Sequence, residues 1–274
     1  MIDQQIEKTL SVIRKSSDLK PKIAFVLGSG LASFGEAIEV KSRIPYGDLP
    51  GFAASTVVGH PGQLLLGHLH GVPVAVMQGR LHAYEGHPME TVIYPVRVLA
   101  SLGVKTLMVT NASGGLKATQ KPGDFMIIKD HINLTGENPL RGPNWEKGPR
   151  FVDMTAPYDP ELSRRLTGIL RKNRARFHQG VYVGVMGPTY ETAAEIRFFA
   201  KIGGSAVGMS TVSEVIAARH AGLKVVGLSC ITNLGTGLSK KKLSHDDVKD
   251  VATRVEKTFV RTLSDFVKEL KREL

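Results

Sequence analysis

Two hydrophobic periods alternate along the chain. Short runs rich in β-branched and aliphatic residues occupy Lys22–Leu27, Gln63–His70, Val72–Met77, Val104–Thr110, Asp124–Ile128, Val181–Met186 and Leu223–Ile231, which predicts strands. Between them, apolar residues recur every three to four positions at about 88–102, 160–176, 191–202, 211–221 and 244–272, which predicts helices. Ile2, Ile6, Leu10 and Ile13 predict a further amphipathic helix at the start, and Ser244 stands three residues before Asp247 as in a capping box. No Ser/Gly/Pro linker divides the chain and no internal repeat is visible. The expectation is a single α/β domain spanning 1–274, with a mixed, strongly twisted central sheet flanked by helices.

The predicted strand ends carry the unusual polar residues. Leu27 runs into Gly28-Ser29-Gly30, Met77 into Gln78-Gly79-Arg80-Leu81-His82, and Thr110 into Asn111-Ala112-Ser113-Gly114-Gly115. Met186 leads to Gly187-Pro188-Thr189-Tyr190-Glu191, and Ile231 to Thr232-Asn233. In open α/β sheets ligands bind beyond the carboxyl ends of strands, so five such segments together describe a site.

Composition narrows the class. With 274 residues, 42% hydrophobic, the chain can bury a sizeable core and is not disordered. One cysteine, Cys230, cannot close an intramolecular disulfide, and its apolar surroundings predict a buried, inert thiol. The start lacks the apolar core of a secretory signal and no stretch is long and apolar enough to span a membrane, so a cytoplasmic location is expected. The formal net charge is +11, which raises nucleic-acid binding as a rival reading. Residues 161–180 hold a net +5 and residues 239–274 a net +3, leaving the rest of the chain close to neutral. Both basic segments have helical apolar spacing and no interleaved aromatic platform, so they read as surface helices with solvated polar faces and no nucleic-acid partner.

Several chemistries fail on the residues. Gly28-Ser29-Gly30 would need glycine where Ser33 stands to make a dinucleotide fingerprint, and no P-loop sequence occurs. Gly208-Met209-Ser210-Thr211-Val212 and Asn111-Ala112-Ser113-Gly114-Gly115 each lack one glycine of a nucleophile elbow. Neither C-x-x-C nor H-E-x-x-H is present, and His68 and His70 have no third ligand in view, so no metal is expected. Glycine-rich backbone beside a hydroxyl makes an anion cradle, and Arg80 two residues from His82 adds a bidentate donor with a second group alongside. Phosphate is the natural guest.

These segments resemble the trimeric class of purine nucleoside phosphorylases, the family that includes the methylthioadenosine phosphorylases. The resemblance spans nearly the whole chain in order: GSGL at 28–31, GH at 59–60, QGRLHAYEGH at 78–87, TNASGGL at 110–116, GDFMIIKDHINLTGENPLRGPN at 123–144, GPTYET at 187–192, GMSTVSEVIAARH at 208–220 and ITN at 231–233. It implies a phosphate site of Ser29, Arg80, His82, Ser210 and the backbone N–H of Ala112, with His60 as a gate beside it. It implies ribose contacts from Tyr84, Met209 and His245, and a purine pocket of Ala112, Tyr190, Glu191 and Asn233. Phe151 would enter the ribose pocket of a neighbouring subunit, implying a homotrimer. Tyr190 departs from the phenylalanine common at its position, and Ser213 stands where many relatives have proline.

The implied chemistry needs no cofactor and no protein nucleophile. Inorganic phosphate is the co-substrate, attacking the anomeric carbon while the enzyme positions it and stabilises the departing base. His82, Glu191 and Asn233 are the expected catalytic groups. Glu191 can accept the N1 hydrogen of a 6-oxopurine, and Asn233 can serve its 6-oxygen and ring nitrogen, which favours inosine and guanosine over adenosine. Methylthioadenosine phosphorolysis is the alternative within the family. Asn233 and His245 count against it, because a 5′ thioether offers an imidazole little to bond.

Overall fold

The computed structural model describes residues 2–54, 61–239 and 245–273; the side chains of His245, Asp246 and Glu273 are outside that description. Nine strands form one mixed sheet: β1 (Ile23–Leu27), β2 (Glu39–Pro45), β3 (Gln63–Leu69), β4 (Val72–Gln78), β5 (Thr106–Gly115), β6 (Phe125–Leu134), β7 (Phe177–Val185), β8 (Gly204–Gly208) and β9 (Lys224–Leu234). Six helices accompany them: α1 (Ile2–Ser16), α2 (Met89–Leu102), α3 (Pro160–Lys172), α4 (Ala193–Lys201), α5 (Val212–His220) and α6 (His245–Leu270). The capping box expected at Ser244 lies outside the described residues.

The strand order is β2-β3-β4-β1-β5-β8-β7-β6-β9, and β9 pairs again with β5. One end of the sheet therefore curls into a closed five-stranded ring, whereas β2 to β4 with β1 remain an open wing. β5 belongs to both parts. It runs parallel to β1 from Thr106 to Val109 and parallel to β9 from Thr106 to Gly115, then meets β8 at Gly114 and Gly115.

Helices cover both faces, so the central strands are apolar on both sides. On β1, Ala24 and Val26 face a core built with α1, α2 and α5, while Ile23, Phe25 and Leu27 face α3 and α6. A smaller cluster of Ile196, Phe199, Val183, Val207 and Leu116 seats α4 on the ring. The two basic segments bury the apolar stripes expected of them: Leu162, Leu166, Ile169 and Leu170 of α3 pack with Phe259, Leu263, Phe266 and Leu270 of α6. Asp159 opens α3, accepting from the Leu162 N–H at 2.9 Å, and Glu161 on its outer face pairs with Arg164 and Arg165. Cys230 is buried, and burial pushes its thiol pKa up to about 12.

Two strands were not expected, β2 and β8. The first, Glu-Val-Lys-Ser-Arg-Ile-Pro, is a sheet edge with alternating exposure, and the second is a five-residue strand bounded by glycines. Several strands also run beyond their predicted ends, notably β5 to Gly115 and β9 to Leu234. Asn111–Gly115 and Thr232–Asn233 are thus strand, not loop. Their backbone groups pair with each other and with β8, so ring closure extends the ladder past the hydrophobic run.

Candidate active site

Where the open wing meets the ring, the ends of β1, β4, β5, β8 and β9 surround a cleft that is open to solvent. Gly28 leaves the end of β1 against β5. A Cβ there would stand 2.7 Å from Asn111 Cα, so only glycine permits this approach. The Gly28 N–H reaches Thr110 Oγ1 at 3.3 Å, and the Leu31 N–H closes a turn on the Gly28 carbonyl at 3.1 Å around Ser29. Gly30 takes φ +73° with its α-carbon packed toward Ala252 of α6.

Arg80 follows β4 and is almost fully buried. Its Nε donates to Glu214 Oε1 at 3.0 Å and its Nη1 to Ser210 Oγ at 3.2 Å. His82 opens a 3₁₀ turn at Ala83–Glu85, where the Glu85 carboxylate accepts from the His82 backbone N–H at 2.8 Å and lies 3.1 Å from its Nδ1. The imidazole stacks on Tyr84 with ring centroids 4.6 Å apart. Burial lowers the His82 pKa, opposed by the Glu85 contact, while burial pushes the Tyr84 phenol up to about 12.

Ser210 and Thr211 connect β8 to α5 through a strained turn. Thr211 has φ +75° and ψ −52°, and the Val212 N–H donates to the Ser210 carbonyl at 2.8 Å, which makes this a γ-turn of the rare hand. A β-branched residue at positive φ is costly, and such strain gathers where geometry matters for function. Asn111 Nδ2 donates to Thr211 Oγ1 at 2.8 Å, and Tyr182 backs the turn by accepting from the Ser210 N–H at 3.5 Å.

Asn233, from β9, has its amide oriented by its neighbours. Thr232 Oγ1 donates to its Oδ1 at 3.0 Å, and its Nδ2 donates to the Leu234 carbonyl at 3.3 Å. Each atom keeps one further hydrogen-bonding capacity, a donor on one side and an acceptor on the other. Glu191 lines the same cleft, and burial raises its carboxyl above the usual carboxylate range. Thr192 next to it caps α4 and forms a capping box with Glu195. Tyr190 is half exposed at the rim.

Ten residues marked in the sequence line this one cleft: Ser29, Arg80, His82, Tyr84, Ala112, Tyr190, Glu191, Met209, Ser210 and Asn233. His60 lies outside the described residues, and of His245 only its place as the first residue of α6 is described. Phe151 is elsewhere, 89% exposed beside a separate hollow with His131 and Arg150. Sequence reasoning passed over Asn111 and Thr232 in the lining, and Glu85, Tyr182, Thr211 and Glu214 behind it. Glu214 was readable in part, as a lone carboxylate among the apolar residues of VSEVIAARH.

The sequence model of the phosphorylase superfamily matches residues 22–268. Purine nucleoside phosphorylase 1 of Bacillus subtilis (strain 168) is 48% identical over 264 residues, covering 96% of this chain and 97% of its own. The chain belongs to the purine nucleoside phosphorylase family. The corresponding enzyme of Geobacillus stearothermophilus is 47% identical with 97% of each chain covered. A purine nucleoside phosphorylase structure from Schistosoma mansoni, solved with inosine, superimposes with a TM-score of 0.90 at 40% identity, covering 97% of this chain and 96% of that one. Another structure from the same species holds adenosine, with a TM-score of 0.91 at 38% identity and 97% of each chain covered. In this family member, no helix among the described residues is long and apolar enough to cross a membrane.

Proposed function

We propose that this protein cleaves 6-oxopurine ribonucleosides and deoxyribonucleosides, inosine and guanosine above all, by phosphorolysis, yielding the free base and (deoxy)ribose 1-phosphate for purine salvage. The observation that carries the reading is the meeting, in one cleft, of the donors of Ser29, Arg80, His82 and Ser210 with the amide of Asn233 and the carboxylate of Glu191. The first set suits an oxyanion; the second suits the edge of a purine.

The chemistry follows from those two sets. Phosphate held by Arg80, Ser29, Ser210, His82 and the Ala112 N–H would sit against the ribose face opposite the base, with Tyr84, Met209 and His245 around the sugar. As the glycosidic bond breaks, positive charge grows on the ribosyl ring and negative charge on the purine. The phosphate stabilises the former and then attacks the anomeric carbon with inversion, and Asn233 stabilises the latter by donating to the 6-oxygen and accepting the hydrogen of the ring nitrogen. Preorganised donors aimed at developing charge give the largest single catalytic contribution in such sites. Glu191 accepts the N1 hydrogen that only a 6-oxopurine carries, and the ring of Tyr190 faces the base.

The same reading makes the working form a cytoplasmic homotrimer in which Phe151 closes the ribose pocket of a neighbour. A phenylalanine 89% exposed on an isolated chain supports it, because large exposed apolar side chains mark interaction sites when they cluster with a receptive surface. The test of substrate class is turnover of inosine, guanosine, adenosine and methylthioadenosine at saturating phosphate. The expected order puts both 6-oxopurines ahead of both 6-aminopurines, and the reverse order would overturn the assignment to Glu191 and Asn233.

A further inference from the structure

Ser210 borders the cleft, and the groups behind it determine where its proton goes. A hydroxyl carries one proton and two lone pairs, whereas an amide nitrogen and a guanidinium only donate. Asn111 Nδ2 donates to Thr211 Oγ1 at 2.8 Å, the Thr211 and Ser210 hydroxyls lie 3.1 Å apart, and Arg80 Nη1 donates to Ser210 Oγ at 3.2 Å. Thr211, having accepted from Asn111, has a proton to pass to Ser210. Ser210, having accepted from Arg80 and Thr211, has both lone pairs engaged and only its proton left to give.

The Tyr182 hydroxyl touches the same two side chains, and its oxygen already accepts from the Ser210 N–H at 3.5 Å. Among the described residues, no carboxylate or backbone carbonyl accepts from any of the three hydroxyls, so the Ser210 proton has two directions open to it, the Tyr182 oxygen behind and an acceptor in the cleft. The buried Asn111 Oδ1 has no hydrogen-bond partner among the described residues. An unsatisfied buried acceptor is costly, and a position serving only to fill space would be better occupied by an apolar side chain. The amide nitrogen is what this position supplies.

We propose that Asn111 is a positioning residue that sets the direction of a relay, Asn111 to Thr211 to Ser210, which aims the Ser210 proton at an oxygen of the bound phosphate. The strained turn at Thr211 keeps the middle hydroxyl between its two neighbours. The inference rests on the phosphorolysis reading, because only an acceptor-only oxyanion needs an obligate donor here.

The experiment is a double-mutant cycle read as the KM for phosphate in inosine phosphorolysis, with the KM for inosine and the melting temperature followed in parallel. Asn111→Asp replaces the donor with an acceptor, draws the Thr211 proton away and turns the Ser210 proton inward. It should raise the phosphate KM at least about tenfold, the scale of a hydrogen bond to a charged group, with a much smaller change in the inosine KM. Thr211→Val should do the same and Thr211→Ser should restore most of the loss. In a Ser210→Ala background, Asn111→Asp should change the phosphate KM by less than about twofold, because the hydroxyl it orients is gone. A full tenfold effect in that background, or an unchanged phosphate KM for Asn111→Asp alone, overturns the relay. If Asn111→Asp does not fold, the Thr211→Val and Ser210→Ala cycle decides on the same criterion. A wild-type protein that releases base without phosphate overturns the phosphorolysis reading and the relay with it, whereas phosphate-dependent wild-type turnover with additive variants overturns the relay alone.

Discussion

Arg80 donates from Nε to Oε1 of Glu214 at 3.0 Å, with both side chains almost wholly withdrawn from solvent. A guanidinium is always charged, so its burial needs a counter-charge, and Glu214 supplies one while leaving another edge of the fork on Ser210. Removing one member of a buried pair strands the other. Glu214→Ala should therefore cost about 3–5 kcal/mol in denaturant unfolding and raise the phosphate KM, with Glu214→Gln, which keeps an acceptor, losing less of both. Equal stability of Glu214→Ala and wild type would contradict the pairing.

Glu191 gives the site a pH dependence of definite sign. Burial raises its pKa, so the folded chain holds its proton more tightly than the unfolded chain does. The corresponding stabilisation is complete below the ordinary glutamate value of about 4.3 and is lost as pH rises through the raised folded value. With Glu191 accepting the N1 hydrogen as proposed, recognition of a 6-oxopurine needs the ionised form. Hypoxanthine binding, measured by calorimetry without phosphate, should weaken as pH falls through that raised value, and Glu191→Gln should bind more weakly with no such acid limb. Retention of the same limb by the glutamine variant would assign it to another group.

Asn233 presents an amide oriented by Thr232 and the Leu234 carbonyl. Replacement by aspartate exchanges the donor for an acceptor, which suits the 6-amino group of adenine. Sites that leave buried polar groups unpaired discriminate by roughly 10⁴–10⁵, so even partial relief should raise the adenosine-to-inosine ratio of kcat/KM by at least about 100-fold. Steady-state kinetics on both nucleosides decides, and an unchanged ratio would remove Asn233 from the account of specificity.

Phe151 contributes nothing to its own cleft and stands 89% exposed. If it completes a neighbour's ribose pocket, Phe151→Ala should raise the nucleoside KM at least about tenfold, the scale of a lost interfacial aromatic contact of more than 1 kcal/mol, with the phosphate KM little changed. Sedimentation of the wild type should give a trimer. A monomer with wild-type kinetics in the alanine variant would rule out the shared pocket.

The fold was legible wherever one hydrophobic period ran undisturbed. α1, α2, α3 and α6, and the strands β1, β3, β4 and β9, all follow stripes or runs visible in the chain. β2 escaped because its charged residues sit on an exposed edge, and β8 because Gly-Ser-Ala-Val-Gly has too few large side chains to register as a run. The continuation of β5 and β9 through Asn111–Gly115 and Thr232–Leu234 depends on their pairing with each other and on ring closure, which local composition does not encode. In the site, the lining could be read from polar residues at strand ends. The layer behind it could not: Glu214, Tyr182 and Thr211 act by burial and by a positive φ, both set by tertiary contacts between segments 100 residues apart for Asn111 with Thr211 and 134 apart for Arg80 with Glu214.

Phosphate dependence of base release from inosine separates phosphorolysis from hydrolysis. The protein should liberate hypoxanthine only when phosphate is present, with one ribose 1-phosphate formed for each base released. Hypoxanthine released at the same rate in phosphate-free buffer, with free ribose as the sugar product, would contradict it.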